Sequence, residues 1–206
     1  MMASSDIAFT PAVKALQAER GSRAGYARME ENGGFRTHVT DDLAAFLAMV
    51  DTAYLSTANS SGQPYAQHRG GPKDFLRMIG GNTLGFADYA GNRQYISTGN
   101  LAENDKAFLF LMDYAHRRRI KLWGRARVVA DDPALIETLM PDGYRARPEQ
   151  AILFEVEAWD VNCPQHIPQK IDAADAATAI KRLEDRIAEL ETDNETLRRT
   201  LERNQA

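Results

Sequence analysis

Residues 88–100 read DYAGNRQYISTGN and lie between apolar runs of strand length. These thirteen residues hold two glycines, one arginine, three amides and two aliphatic hydroxyls. The mixture suits a place where backbone and side chains close around a phosphate or a planar polar ring. Glycine lets the backbone come near, and amides supply both donors and acceptors. The flanks decide the fold, because they must build the frame that holds this stretch.

Upstream, the sequence reads as two hairpins. Residues 52–58 are rich in β-formers, end in Asn59, Ser60, Ser61 and Gly62, and are followed by a second run over 63–69. Residues 75–79, the turn Gly80, Gly81 and Asn82, and residues 83–87 repeat the device. Between the hairpins, RGGPK at 69–73 puts two glycines and a proline beside two cations. Earlier still, Thr40 followed by Asp41 and Asp42 caps a helix over 41–50, with Leu43, Phe46, Leu47 and Val50 on its apolar face. Residues 1–36 read as an N-terminal arm: a short helix over 11–20, then a stretch to residue 36 broken by Gly21, Gly25, Gly33 and Gly34.

Downstream, residues 101–105 close a short helix, and AFLFLM at 107–112 predicts a strand buried on both faces. Residues 119–129 alternate around Trp123 and Gly124, so HRRR at 116–119 links two antiparallel strands. Asp131, Asp132 and Pro133 start a helix that ends before Pro141, and AILFEVEA at 151–158 is the last strand. Seven strands, three or four short helices and no βαβ rhythm predict a mainly β, α+β fold, an antiparallel barrel with peripheral helices.

The C-terminal segment has another grammar. With Ile180 at heptad position a, Leu183 falls at d, Ile187 at a, Leu190 at d, Asn194 at a, Leu197 at d and Leu201 at a. In a parallel pair Arg186 at g faces Glu191 at e of the other chain, and Asp193 faces Arg198. The expectation is a barrel domain over 37–170 and a coiled-coil dimerisation helix over 171–206; the alternative is one amphipathic helix folded on its own barrel.

Composition narrows the function. The 206 residues are 44% hydrophobic and carry a formal charge of −4, which gives one respectable core and no overall basic footprint for nucleic acid. Cys163 is the only cysteine, which excludes an internal disulfide and fits a reducing compartment. With no apolar run near the roughly 20 residues that span a bilayer and no charged-then-apolar leader at the start, a cytoplasmic protein is expected. His38, His68, His116 and His166 have no ligand spacing, so no metal is expected, and Cys163 near His166 reads as a structural loop.

Arg93 follows Gly91 and Asn92 at the expected start of the helix that holds Ile96, where a guanidinium and free first-turn amides together make an anion site. Arg69 and Lys73 can meet the same anion. Gln94, Ser97 and Asn100 offer what the edge of an isoalloxazine or nucleobase needs, although local capping would use the same groups. No residue stands out as a general acid or base.

QPYAQHRGGPKDFL, FADYAGNRQYISTGNLAEN, FLFLMDYAHRRRIKLWGRARVV and AWDVNCPQHIPQ occur in that order and together resemble the pyridoxamine 5'-phosphate oxidase-related family with the FMN-binding split barrel. The resemblance covers residues 8–170. It implies a homodimer with flavin mononucleotide in each of two clefts at the interface. Arg69 and Lys73 would grip the flavin phosphate with Asn92, Arg93 and Gln94, which stand where the oxidases have Ser-Arg-Lys. Arg119 stands where a glutamine reaches the flavin from the partner chain, and Ser97, Asn100 and Trp123 would line the ring or the cleft. Losing the lysine of the triplet removes one cation and leaves FAD or a deazaflavin open as alternatives. The C-terminal arginine and histidine motif that holds pyridoxal phosphate is missing, so the implied activity is an FMN-dependent oxidoreductase acting on another small molecule, with NADH or NADPH as a candidate donor. The rival is a non-catalytic dimer that binds or senses a flavin, haem or B6 phosphate.

Overall fold

The sequence changes period where the structure changes element. The computed structural model describes residues 3–205. Strands β1 (Thr52–Ala58), β2 (Pro64–Gly70), β3 (Arg77–Gly80), β4 (Thr83–Tyr89), β5 (Lys106–Asp113), β6 (Arg118–Val129) and β7 (Pro148–Val161) form one antiparallel sheet of order β2-β1-β5-β6-β7-β4-β3. Its centre is the meander β5-β6-β7. The two upstream hairpins attach to opposite edges, β1 along β5 and β4 along β7, so pieces that are neighbours in sequence lie at the two ends of the sheet. The fold is the antiparallel split barrel with peripheral helices that the sequence implies.

One face of the sheet is the core. Leu55, Leu84, Leu109, Leu122 and Phe154 are completely buried there, each contributing about 1.5–3 kcal/mol on transfer from water. Helix α3 (Asp41–Leu47) adds Leu43, Phe46 and Leu47, and Phe75 and Leu76 join the same cluster from the chain before β3. Thr40 caps α3, its Oγ1 accepting from the Leu43 amide at 3.4 Å.

The apolar run 107–112 is not buried on both faces. Leu109 and Leu111 are buried, while Phe108 and Phe110 are half-exposed on the opposite side. That outer face is aromatic: Phe108 packs on Phe110 and, at 5.2 Å between ring centres, on Trp123 of β6. The unbroken apolar run is thus two half-buried faces, one aliphatic and one aromatic. At the bulge after Trp123, a Cβ on Gly124 would lie 1.9 Å from the Glu155 carbonyl oxygen, so no larger residue fits without moving β7.

The N-terminal arm is more helical than its glycines predict. Helix α1 (Pro11–Glu19) is followed by α2 (Arg23–Glu31), which runs straight through Gly25. Ion pairs hold this region: Lys14 bridges Asp6 at 2.6 Å and Glu30 at 3.2 Å, and Arg23 also binds Glu30. Phe35 then stacks flat on Trp123, with 5.0 Å between centres and 9° between planes, and Arg36 exchanges two backbone hydrogen bonds with Trp159. Helix α4 (Ile96–Glu103) follows β4, and α5 (Pro133–Leu139) covers β4 and β7 through Leu139.

A second compact unit comprises residues 114–117 and the chain from His166 onward. Within it the Lys170 ammonium lies 4.2 Å from the Tyr114 ring, and Gln169 donates to the Ala115 carbonyl at 2.8 Å. Its main element is α6 (Ala173–Gln205), one helix of 33 residues. No helix among the described residues is long and apolar enough to cross a membrane.

Candidate functional site

The β4–α4 connection and the facing side of β2 line a small, open cleft of about 40 Å³. Alternation along β2 turns Tyr65, Gln67 and Arg69 to the side on which their β1 partners Thr57, Leu55 and Ala53 face the core. At the edge of the sheet this side is open, and the connection from β4 closes over it. The connection is bent sharply: Arg93 and Tyr95 both have left-handed backbones, with φ of 56° and 51°. The Asn92 side chain stabilises the bend by accepting from the Gln94 amide at 3.2 Å. Helix α4 therefore begins at Ile96, and Arg93 sits outside its first turn.

Helix α4 is stitched to the sheet by side chains that also read as site residues. Ser97 donates to Gln67 Oε1 at 3.1 Å, and the buried Asn100 donates to Thr57 Oγ1 at 3.0 Å. On the other wall, Gln150 of β7 donates to Asp88 Oδ2 at 2.9 Å and to Thr98 Oγ1 at 3.0 Å.

The electrostatics differ from a bare cation site. Arg69, with a side chain only 13% exposed, lies 3.2 Å from Asp88 Oδ1. Arg93, 57% exposed, lies 3.2 Å from Glu149 Oε1, and the Tyr95 hydroxyl is 3.4 Å from the other oxygen of that carboxylate. Each arginine of the cleft thus has its own carboxylate. Two buried donors remain without a hydrogen-bond partner, Arg69 Nε and the Tyr89 hydroxyl. A buried donor left unpaired costs about 1–3 kcal/mol, which a ligand acceptor would recover. Burial, with the neighbouring Tyr144, pushes the Tyr89 phenol above its usual range and keeps it a neutral donor.

Five of the nine residues proposed from sequence line this cleft: Arg69, Asn92, Arg93, Gln94 and Ser97. Asn100 lies beneath it, holding α4 to β1. Lys73 is exposed in the loop after β2 and is not part of the wall. Arg119 and Trp123 alternate onto the outer face of the sheet, away from the cleft of their own chain, and Arg119 Nε is a further buried donor without a partner. Sequence reasoning passes over Gln67, Asp88, Glu149 and Gln150. Asp88 and Gln67 lie inside the family-like motifs, whereas Glu149 and Gln150 arrive only because β7 pairs with β4, and nothing local signals that. Among the described residues no group of three or more His, Cys, Asp or Glu side chains could hold a metal.

Residues 39–163 match the family model described as pyridoxamine 5'-phosphate oxidase. The chain belongs to the pyridoxamine 5'-phosphate oxidase family. The matched segment contains the whole sheet and the cleft, and it leaves the arm and α6 outside. Proteins of this family generally bind a flavin and are commonly dimeric. No curated protein matches the chain. Among solved structures it is similar to HupZ of Group A Streptococcus, with 14% identity over 64% of this chain and 98% of that one and a TM-score of 0.49. It is also similar to a protein related to general stress protein 26 (pyridoxinephosphate oxidase family) from Clostridium acetobutylicum, at 17% identity, 55% and 80% coverage and a TM-score of 0.41. An F420 reductase matches at 16% identity, 56% and 94% coverage and a TM-score of 0.41. Membership of the pyridoxamine 5'-phosphate oxidase family rests on the sequence match.

Proposed function

We propose that the cleft holds flavin mononucleotide by its phosphate and that the protein is an FMN-dependent oxidoreductase acting on a small molecule. The observation that carries this reading is Arg69: a largely buried guanidinium in the cleft, with Nε unpaired. In a partly desolvated place a phosphate is the acceptor that a fork of guanidinium donors fits best. Arg93 supplies a second, more solvated cation, and Asn92, Gln94 and Ser97 supply neutral donors at the same wall. Lys73 adds positive potential from the loop after β2. Arg119 and Trp123 act in this reading toward the flavin of a second copy, because they lie on the opposite face of their own sheet.

The flavin, when bound, supplies the electron or hydride transfer, and the chain's residues position it and tune it by hydrogen bonds. Asp88 and Gln150 fix the orientation of Arg69, and the Ser97–Gln67 bond holds α4 as the floor of the cleft. The neutral Tyr89 hydroxyl is a donor that does not change charge near neutral pH.

A second reading, a dimer that stores or senses a flavin, haem or B6 phosphate without turnover, is favoured by one observation. Both carboxylates of the cleft are engaged by its arginines, which leaves neither poised for proton transfer. The test begins with the visible spectrum of the purified protein and identification of the pigment it releases. A two-banded flavin spectrum with FMN released supports the first reading, and reduction of that flavin by NADH or NADPH supports turnover. A colourless protein that takes up neither FMN, FAD nor a deazaflavin overturns it.

A further inference from the structure

The longest helix of the chain has a bare apolar stripe. In α6, Ile180, Leu183, Ile187, Leu190, Leu197 and Leu201 are each between 48% and 64% exposed. With Asn194 between Leu190 and Leu197, they recur every three and four residues along one side of a helix about 50 Å long. An isolated helix in water gains nothing from such a seam, so something covers it.

We propose that α6 pairs in parallel with α6 of a second copy of this chain, as a two-stranded coiled coil registered by Asn194. Three independent features select this occupant. Two of the four a positions are β-branched, Ile180 and Ile187, and the d positions Leu183, Leu190 and Leu197 are leucine, a combination that favours two strands over three or four; the last a position is Leu201. Asn194 stands at an a position. In a parallel pair it meets Asn194 of the partner subunit, and the two amides satisfy each other. In an antiparallel pair every a layer faces d, so Asn194 would be opposite an apolar side chain and unpaired. The flanks agree as well: Arg186 faces Glu191 of the partner subunit, and Asp193 faces Arg198 of the partner subunit, both attractive in the parallel arrangement. Within one chain Arg186 already bonds Glu189 at 2.8 Å, so the interchain pair must compete with that contact and serves orientation more than affinity.

The pairing stands on α6 alone, whatever the cleft binds. Its consequence for the cleft is concentration: a parallel coil holds the two copies of residue 171 close together. Association of the two sheets then becomes intramolecular, at an effective concentration in the millimolar range.

The test uses the full chain with Cys163→Ser and Leu201→Cys, which places one thiol at the same a position of each strand. Mild oxidation is expected to give a disulfide-linked dimer, and the unoxidised protein to sediment at twice the 22.9 kDa chain mass. Adding Leu190→Asp and Leu197→Asp should slow cross-linking at least tenfold and lower the helical circular dichroism. Asn194→Leu should raise the melting temperature of the helical signal and admit species larger than a dimer. A monomer or a trimer as the sole wild-type species overturns the proposal. So does cross-linking that the aspartates leave unchanged, or a Leu201→Cys chain that links to a Leu183→Cys chain in preference to its own kind.

Discussion

Removing Arg69 tests the cleft more sharply than any other single change. Its guanidinium is 13% exposed and 3.2 Å from Asp88, so in the ligand-free protein it is committed to a carboxylate, and a bound phosphate would share it. A hydrogen bond to a charged group is worth about 1.5–3 kcal/mol. At about 1.4 kcal/mol per factor of ten, Arg69→Ala should weaken FMN binding roughly 10- to 100-fold. Asp88→Asn should act in the opposite direction. It keeps an acceptor for Gln150 and removes a negative charge from beside the phosphate, a repulsion of about 1–4 kcal/mol at 4 Å between water-like and surface-like dielectric, so FMN should bind about fivefold tighter or better. Arg93→Ala, at a side chain 57% exposed, should cost about two- to tenfold because solvent and salt screen it. The assay is quenching of FMN fluorescence by flavin-stripped protein at fixed salt, with a melting curve for each variant. Wild-type affinity in a folded Arg69→Ala protein would refute the reasoning. Equal weakening by Asp88→Asn would show that the Arg69–Asp88 pair is a structural contact alone.

Other expectations rest on single contacts. Gly124→Ala forces a Cβ against the Glu155 carbonyl and should destabilise the protein by about 3 kcal/mol, lowering the melting temperature by roughly 6–12 °C; an unchanged melt would mean that the bulge is soft. Tyr89→Phe removes a buried hydroxyl without a partner, so ligand-free stability should hold or rise while FMN affinity falls severalfold; a drop in stability would reveal a partner for that hydroxyl. Hydrogen bonds from Lys14 to Asp6 and from Arg23 to Glu30 hold both carboxyls below their ordinary values. Their contribution is therefore complete above about pH 4.5 and fades as pH falls through the lowered values. The arm should loosen in acid, with a red shift of Trp123 emission as Phe35 leaves it; emission constant from pH 5 to pH 3 would show that the ion pairs do not hold the arm.

Much of this protein is legible in its residues because the signals are local. Turn chemistry at 59–62 and 80–82 marks both hairpins, Thr40 and Pro133 mark helix starts, and a strict heptad marks α6. Each depends on the conformational preference of a few neighbouring residues, which the chain carries into any fold. The family is legible for a related reason, since motifs in a fixed order survive when the pairing between them is unseen. Tertiary pairing decides the rest. Nothing near Phe108 says that its side of β5 is an outer aromatic face, and nothing near Gly25 says that α2 survives it, because the contact of Tyr26 with Phe9 and the ion pairs of Glu30 with Lys14 and Arg23 outweigh a weak local propensity. The cleft shows the same division. The stretch 88–100 announces itself by composition, but Asp88 reads as a flank until β2 brings Arg69 to it. Glu149 and Gln150, some fifty residues away in sequence, enter only through the β4–β7 register. Sequence alone determined which groups were available for chemistry, and the pairing of distant strands decided which of them meet and which charges are already neutralised, because those are set by distances that no local pattern encodes.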